Sequence, residues 1–448
     1  MIFGIAAVLI LLMIFSGVAV PLAFLGGSFF VAYMGLGSTG TFATNAFYIL
    51  NSISMLAIPL FIVGGSLIER SGIANVLIRV ADKMLHNVKG GLTATIPVVS
   101  CFFGALCGSA LATANTLSTA MVPELEKKGY DKAYLAALIA ASSPFGFMIP
   151  PNVIIFASVS SASVGALFMA TIVPGLIWAG LYLIINRIIY IKYYHPEYAG
   201  KTVASVSACT EDNEPKEESE KNARETISRN RFFLELVVAV LMPVIVLGGI
   251  YGGIFTATEA GAITCLYGAI MGVVVYKKLS LVQLMGVFSK GVKDVSALVI
   301  MFPMTLIFSR LMTLNHIPEL VAELMLGITN NRIGLILLID LLLFFIGFFL
   351  DGNVIILTLV PLLTPIATAC GIDTIQLAVI VFVSIGIGSI TPPMATCLMA
   401  CSRVCDVPIH KLIKPILPFL LFGALPILLL VSFVPVVSTW LPGLFYSF

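Results

Sequence analysis

Long apolar stretches separated by short polar segments follow one another along the whole chain. A helix that crosses the hydrocarbon core of a bilayer, about 30 Å thick, needs about 20 apolar residues. None of the stretches alternates with the two-residue period of a strand for about ten residues. The pattern therefore predicts an all-α polytopic membrane protein. The stretches of suitable length are Ile2–Tyr33, Phe47–Ile68, Ala133–Ala157, Gly165–Tyr190, Phe232–Tyr251, Ala260–Tyr276, Ala297–Leu314, Ile333–Leu350, Ile375–Cys401 and Leu417–Trp440.

Two apolar stretches are interrupted by small or polar residues. Leu92–Val122 is broken around Gly104–Ser109, and lysines on both of its flanks favour the cytoplasm. A re-entrant hairpin, which enters and leaves on one side, satisfies both flanks. Ile333–Thr368, broken at Asp351–Asn353, is predicted to be the corresponding hairpin from the opposite side. Irregular backbone is tolerated at this depth only inside protein or beside a water-filled cavity.

The two halves of the chain repeat each other without a gap. Pro123 and Pro365 lie 242 positions apart, and ten further identities keep the same separation. Apolar composition alone would not readily align prolines, glycines and an aspartate in register. The residues of the first half that match are Thr116, Leu117, Pro123, Gly129, Asp131, Leu135, Ala136, Ser142, Gly146, Pro150 and Pro151.

The charges of equivalent loops predict opposite orientations for the two halves. Cytoplasmic loops are enriched in Lys and Arg. The loop around Gly129 carries Lys127, Lys128 and Lys132, whereas residues 366–376 of the second half carry neither Lys nor Arg. The halves are therefore predicted to form an inverted repeat, an architecture of secondary transporters. The N-terminus is predicted to be cytoplasmic and the C-terminus periplasmic.

Composition supports a lipid environment and narrows the function. Only 10% of the residues are charged, against about 25% in soluble domains. The formal net charge of +2 gives no electrostatic case for a nucleic-acid partner. The eight cysteines and four histidines show no CxxC pair and no zinc spacing. No Ser/His, paired-Asp or HExxH arrangement supports a membrane enzyme.

A charged segment, 195–231, divides the chain and is predicted to be a polar cytoplasmic linker, with a regulatory or partner-binding role as the alternative. Ile68–Leu85 and Ile317–Leu326 are predicted to be amphipathic helices at the membrane interface. The predicted units are 1–91, scaffold helices with an interfacial helix; 92–190, the first half of a transport domain with a hairpin and a broken helix; 232–332, scaffold helices with an interfacial helix; 333–412, the second half of the transport domain; and 413–448, a C-terminal helix.

Double prolines interrupt equivalent helices at Pro150–Pro151 and Pro392–Pro393. Because proline lacks an amide hydrogen, each pair is expected to leave carbonyl oxygens unpaired at Gly146–Ile149 and Gly388–Thr391. Such oxygens suit a dehydrated cation, and transporters place cations at broken helices near the midplane. The absence of a carboxylate cluster favours Na⁺ over Ca²⁺. A pair of purely structural kinks is the alternative.

The hairpin tips are expected to supply the oxygens that face the broken helices. A carboxylate inside the membrane is expensive, which favours a role for Asp351 beside the second cation or the substrate. The alternative for Asp351 is a helix N-cap. The predicted substrate contacts are Gly108, Asn115, Asn152, Asp351 and Asn353. The expected tip residues are Gly104, Gly108 and Ser109 in the first hairpin, and Gly347, Asp351 and Asn353 in the second.

These residues resemble the large membrane subunit of tripartite ATP-independent periplasmic (TRAP) transporters, and the resemblance spans nearly the whole chain. Ala257 stands where the family usually has proline. Asn152 stands where a serine is common, a difference that bears on substrate choice. The motifs that carry the resemblance are Gly108–Ala114, Pro123–Asp131, Gly146–Pro151, Leu167–Phe168 with Pro174–Leu176, Gly252–Ala260, Leu350–Asn353 and Gly388–Pro393.

The resemblance implies an elevator-type transporter of the bacterial inner membrane that is driven by a sodium gradient. A small TRAP membrane subunit would brace the scaffold. A periplasmic binding protein would deliver a small organic anion, such as a C4-dicarboxylate, sialic acid or another carboxylate or sulfonate. The implied sodium ligands are Ser109, Gly146, Ile149 and Pro151 at the first site, and Gly347, Gly388, Thr391 and Met394 at the second.

Two other transport modes are compatible with the same residues. A stand-alone sodium- or proton-coupled organic anion symporter would need no binding protein. A channel would show neither saturable uptake nor a fixed sodium stoichiometry. Reconstituted uptake separates all three.

Overall fold

A computed structural model gives the fold of the chain. It describes residues 2–51, 53–85, 91–148, 152–160, 162–193, 237, 241–242, 244–328, 331–347, 352–369, 371–392 and 395–446. Within these ranges every regular element is helical, as the apolar pattern predicts. The linker 195–231 lies outside the described residues. So do nine of the 20 residues of Phe232–Tyr251, of which residues 244–251 form a continuous helix.

The first scaffold region differs from its prediction at the N-terminal end. Ile2–Tyr33 is not one helix. Gly17 adopts a φ of +86°, a turn conformation that suits glycine, and Pro21 lies in the first turn of the next helix. The helices of this region are α1 (Ile2–Phe15), α2 (Val20–Val31), α3 (Phe42–Leu50), α4 (Ile53–Ser71) and α5 (Ile73–Leu85).

Two further boundaries in this region are corrected by the structure. Phe47–Ile68 is not a plain span, because it belongs to a helix pair bent by 56°. The predicted interfacial helix Ile68–Leu85 begins later, at Ile73. Gly72 ends α4 with a φ of +92°, and the Ser71 hydroxyl donates to the carbonyl of Ile68 at 2.7 Å.

The first hairpin and the first broken helix are formed as predicted. α6 and α7 meet at Gly108–Ser109, where Gly108 has a φ of +62°. α8 continues into the 3₁₀ turn Ser143–Met148, and this pair is bent by 41° against α9. The helices are α6 (Gly91–Cys107), α7 (Ala110–Lys127), α8 (Lys132–Ser142), α9 (Asn152–Ser160) and α10 (Val164–Tyr193).

The second half repeats this arrangement. α14 and α15 form the second hairpin, and α16 and α17 form the second broken helix. α12 has 34 residues, so the prediction Ala297–Leu314 covers only part of a helix about 50 Å long. The helices are α11 (Ala257–Ile270), α12 (Leu281–Leu314), α13 (Ile317–Ile328), α14 (Arg332–Gly347), α15 (Gly352–Ala369), α16 (Thr374–Ile390), α17 (Thr396–Val404), α18 (Ile409–Phe419), α19 (Leu425–Phe433) and α20 (Val436–Gly443).

Several of these helices are suited to a membrane by length and composition. In the described part of the chain, four are long and apolar enough to cross it, or up to six if each bent pair counts as one span. The shorter apolar helices include α1 and the hairpin arm α15. The four are Val164–Tyr190, Ala257–Val275, Leu281–Leu314 and Ile409–Phe433.

The sequence repeat has a local structural cause. Gly129 and Gly371 both adopt positive φ, +87° and +69°. Asp131 and Asp373 are then the N-caps of α8 and α16. The Asp131 carboxylate accepts the amide of Tyr134 at 3.1 Å, and that of Asp373 accepts the amide of Ile375 at 2.7 Å. Each half therefore starts its broken helix with the same turn and cap.

Close helix packing occurs both in the predicted scaffold and around the broken helices. In the scaffold, α4 packs closely on α11, since a Cβ built at Gly64 would lie 2.6 Å from the Thr264 side chain. Among the broken helices, α16 is buried at every position from Ile375 to Ile390. A helix that is apolar all round lies in a core. α16 accordingly packs among α10, α14 and α19, so the broken helices end inside the protein.

Candidate functional site

The tip of the first hairpin lies against the first broken helix, backbone to backbone. A Cβ built at Gly104 would lie 2.9 Å from the backbone nitrogen of Gly146. A Cβ at Gly146 would lie 2.8 Å from the backbone of Ser109 and of Ala110. Only glycine permits so close an approach at both positions. The predicted residues Gly104, Ser109 and Gly146 are thus brought together.

Ser109 has a definite local role at this contact. Its hydroxyl caps α7 by accepting the amide of Ala112 at 3.3 Å. Its carbonyl accepts both the amide and the hydroxyl of Thr113, at 3.0 and 2.8 Å. The hydroxyl oxygen retains a second lone pair, so capping does not exclude a further ligand.

The second hairpin meets the second broken helix in the same way. A Cβ at Gly388 would lie 2.7 Å from the carbonyl carbon and oxygen of Gly347. Thr391 lies just after α16, and its hydroxyl donates to the carbonyl of Ile387 at 2.7 Å. The prediction of unpaired carbonyls is wrong for Gly388, whose oxygen accepts the amide of Thr391 at 3.3 Å. A carbonyl oxygen has two lone pairs, so one remains for another ligand.

Four of the predicted site residues lie outside the described part of the chain. Two belong to the first predicted sodium site, one to the second and one to the predicted substrate contacts. Their assignments stay predictions, as do the ligand roles of the described residues. The four are Ile149, Pro151, Met394 and Asp351.

A cavity of about 430 Å³ lies between the hairpins and the scaffold. It brings together the described residues that the sequence predicts as substrate contacts. Asn152 is buried, with 3% of its surface exposed, although it begins helix α9. The predicted residues that line the cavity are Gly108, Ser109, Asn115, Asn152 and Asn353.

Three charged residues that the sequence did not single out line the scaffold side of this cavity. Glu69 belongs to α4 and accepts the hydroxyl of Thr116, on α7, at 3.3 Å. Lys290 and Asp294 lie one turn apart on α12. The available signal was their four-residue spacing. It was missed because the apolar pattern places the start of this span after them, at Ala297.

The hairpin side of the cavity has a different electrostatic character. The first turn of α7 lines it from Ala110 to Ala112, and Asn353 belongs to the first turn of α15. Helix N-termini carry partial positive charge and exposed amide groups, which favour an anion. Lys290 is the one cation among the described residues that line the cavity. The described lining therefore combines two helix N-terminal turns with one cation and two carboxylates.

Comparison with known proteins gives a family match. The chain matches the family described as "Tripartite ATP-independent periplasmic transporter, DctM component" over residues 3–437. It is 32% identical to the sialic acid TRAP transporter large permease protein SiaM of Vibrio cholerae, over 89% of this chain and 88% of that protein.

A second relative is longer than this chain. The isethionate TRAP transporter permease protein DctMQ of Oleidesulfovibrio alaskensis is 32% identical over 400 residues, which make up 89% of this chain. The match covers 59% of that protein, so the chain spans less than two thirds of its length.

A solved structure shares the fold. The YdaH transporter of Alcanivorax borkumensis, described as having an unusual topology, matches with a TM-score of 0.61 at 17% identity. The match covers 90% of this chain and 88% of that one. At this identity the likeness concerns the fold alone.

Proposed function

The chain belongs to the DctM component family of tripartite ATP-independent periplasmic transporters, and on that basis we propose that it couples uptake of a small organic anion to a sodium gradient. Family membership makes it a large permease subunit of a membrane transporter. The coupling ion, the substrate and the mechanism are the proposed part.

One observation carries the proposal. Each hairpin tip meets a broken helix through a pair of glycines, and the cavity lies beside these contacts. Close backbone contact concentrates carbonyl oxygens where a helix is interrupted, which suits a dehydrated monovalent cation. We assign the first sodium site to Ser109 and Gly146 and the second to Gly388 and Thr391. Gly104, Ile149 and Pro151 complete the first proposed site, and Gly347 and Met394 complete the second.

Substrate and coupling ion would act together. Sodium at a broken helix fixes the neighbouring hairpin tip, and the ordered tip presents its helix N-terminus to an anion. The named substrates of the two relatives, sialic acid and isethionate, are a carboxylate and a sulfonate. The cavity of about 430 Å³ is large enough for either kind of molecule.

The proposed mechanism is an elevator. The two hairpins, the broken helices and α10 move together across the membrane, while α1–α5 and α11–α13 stay as scaffold. A small membrane subunit braces that scaffold, and a periplasmic binding protein delivers the anion. The position of the cavity between the two groups of helices supports this division, because sliding of one group would carry the site past the other.

Proteoliposomes test the proposal. The chain is reconstituted with its small membrane subunit, and uptake of radiolabelled sialic acid and isethionate is measured with and without the loaded binding protein. We expect saturable uptake that needs both the binding protein and an inward sodium gradient. Uptake without any soluble partner would favour the stand-alone symporter. Equal uptake after replacing sodium with choline would refute sodium coupling.

A further inference from the structure

A buried carboxyl group lies outside the cavity and has no place in the proposed sodium sites. Asp340 sits in the middle of α14, the first arm of the second hairpin, with 6% of its surface exposed. The hydroxyl of Ser432, on α19, donates to its two oxygens at 2.9 and 3.1 Å. The contact joins the hairpin to the C-terminal helices.

No cation accompanies this carboxyl group in the described structure. The main neighbours of α14 among the described helices are α15, α16 and α19, and none of these three carries an Asp, Glu, His, Lys or Arg. On α14 itself the only other charged residue is Arg332. It is exposed and lies eight positions earlier, about 12 Å along the helix. An ionised Asp340 would therefore be a buried charge without a counter-ion, which is strongly disfavoured.

An unpaired acceptor lies at the same place. Gln376, on α16, is fully buried, and its amide nitrogen donates to the carbonyls of Val431 and Ser432 at 3.1 and 2.8 Å. Its side-chain oxygen has no hydrogen-bond partner. Asp340 and Gln376 both bond to Ser432, the first to its hydroxyl and the second to its carbonyl. The cluster lacks one hydrogen-bond donor, and its carboxylate lacks one positive charge.

We propose that Asp340 is a proton-binding site, and that Asp340, Gln376 and Ser432 form a polar cluster that holds the proton. One proton taken from solvent neutralises the carboxylate and adds one hydrogen-bond donor to the cluster. Release returns the proton to solvent and leaves a charge among α14, α16 and α19. Because α14 carries the second hairpin and α16 the second broken helix, proton release weakens the packing on which that hairpin depends. This role is separate from sodium-coupled uptake.

The isosteric variant Asp340→Asn tests the site. The amide keeps the size of the side chain and cannot ionise. Thermal unfolding of the purified full-length protein in detergent is followed from about pH 4, near which carboxyl groups of an unfolded chain titrate, to about pH 9, near which the most deeply buried carboxyl groups titrate. We expect the midpoint of the original protein to fall by several degrees on the alkaline side, and that of Asp340→Asn to stay level.

The matched control is Asp406→Asn. Asp406 is exposed and has a φ of +51°, a conformation that asparagine also tolerates. It should reproduce the alkaline fall of the original protein. A parallel fall in Asp340→Asn would overturn the proposal.

A second variant keeps the test valid if Asp340→Asn fails to fold. The Ser432 hydroxyl donates to the carboxylate and so favours its ionised form. Ser432→Ala should therefore make the proton bind more tightly and move the alkaline fall to higher pH. An unmoved or lowered transition would contradict the proposal.

Sodium is the alternative ligand for this cluster. Unfolding measured in two different salts distinguishes sodium from a proton. The unfolding midpoint is compared in sodium chloride and choline chloride at one pH. A sodium stabilisation that is present in the original protein and reduced in Asp340→Asn would identify a sodium site and refute the proton site. Equal sodium stabilisation in both proteins agrees with the proposal. These assays contain neither substrate nor gradient, so their outcome is independent of the proposed uptake.

Discussion

At the scale of single residues, several side chains serve the local backbone and remain able to bind a ligand. Thr391 is the clearest case, since its hydroxyl hydrogen is used on the Ile387 carbonyl at 2.7 Å. That bond orients the oxygen lone pairs away from the carbonyl, where a cation could be coordinated. Helix termination and the proposed sodium binding are therefore compatible at one position.

Replacing Thr391 with alanine removes one proposed sodium ligand. We expect Thr391→Ala to raise the sodium concentration for half-maximal uptake about tenfold, equivalent to about 1.4 kcal/mol. The unfolding midpoint in choline should change little, because the hydroxyl lies at a helix end. Sodium titration of uptake in proteoliposomes measures the first quantity.

Thr364 offers the control for this prediction. It is also half-buried, and its hydroxyl likewise donates to the carbonyl four residues earlier at 2.7 Å, but it lies about 18 Å along α15 from the hairpin tip. Thr364→Ala should leave sodium activation unchanged. Unchanged activation in Thr391→Ala as well would remove this threonine from the second site.

The sequence predicts the role of a residue well when that role depends on the local backbone. It predicts the role poorly when that role depends on which helices pack together. Gly129 and Asp131 recur 242 positions later because the same turn and cap are needed twice. Glu69 and Lys290 were not predicted, because Glu69 directly follows the apolar stretch Phe47–Ile68 and Lys290 precedes the predicted span Ala297–Leu314. Only the packing of α4 and α12 shows that both line the cavity.

At the scale of elements, interruptions in an apolar run predict the structure better than the length of the run does. The hairpin turn at Gly108–Ser109 follows from small and polar residues in an apolar run. The turn at Gly17 was missed because apolar residues surround it and hide the interruption. The length of α12 was underestimated because Lys290, Lys293 and Asp294 interrupt its apolar run just before Ala297. Hydropathy detects the part of a helix in lipid and not the part beside water.

The glycine contacts between hairpins and broken helices give a prediction at this scale. Gly146→Ala would place a methyl group 2.8 Å from the backbone of Ser109 and Ala110, which cannot move aside as a side chain could. We expect a destabilisation of about 1–3 kcal/mol, typical of overpacking. Sodium should also lose most of its stabilising effect, because the hairpin tip is displaced from the proposed site. Unfolding midpoints in sodium and choline chloride measure both effects.

Gly180→Ala is the control for the glycine prediction. Gly180 lies within α10, and a Cβ there would meet nothing within 4 Å. It should be neutral or stabilising by up to about 1 kcal/mol, since alanine is the better helix former. Full sodium stabilisation in Gly146→Ala would show that the first contact does not organise a sodium site.

At the scale of the whole molecule, the two hairpin and broken-helix units have matching local structures. The caps of α8 and α16 and the paired glycine contacts occur once in each half. An inverted repeat gives such halves opposite orientations, so that one conformation opens to each side of the membrane. The repeated local structure alone does not establish that the halves have opposite orientations, because parallel halves would make the same local contacts. The opposite orientation of the halves is inferred only from the charges of their loops. The orientation of each half should therefore be measured directly.

Single-cysteine labelling on a cysteine-free background measures the orientation of each half. Lys128 and Thr368 are both exposed and lie at the ends of α7 and α15, the second arms of the two hairpins. If lysine enrichment marks the cytoplasm, Lys128→Cys reacts with an impermeant maleimide only in inside-out vesicles and Thr368→Cys only in spheroplasts. Both variants should react fully after permeabilisation, which controls for burial. Reaction of both from the same side would mean that the halves are parallel, and the elevator proposed from their inversion would then lose its basis.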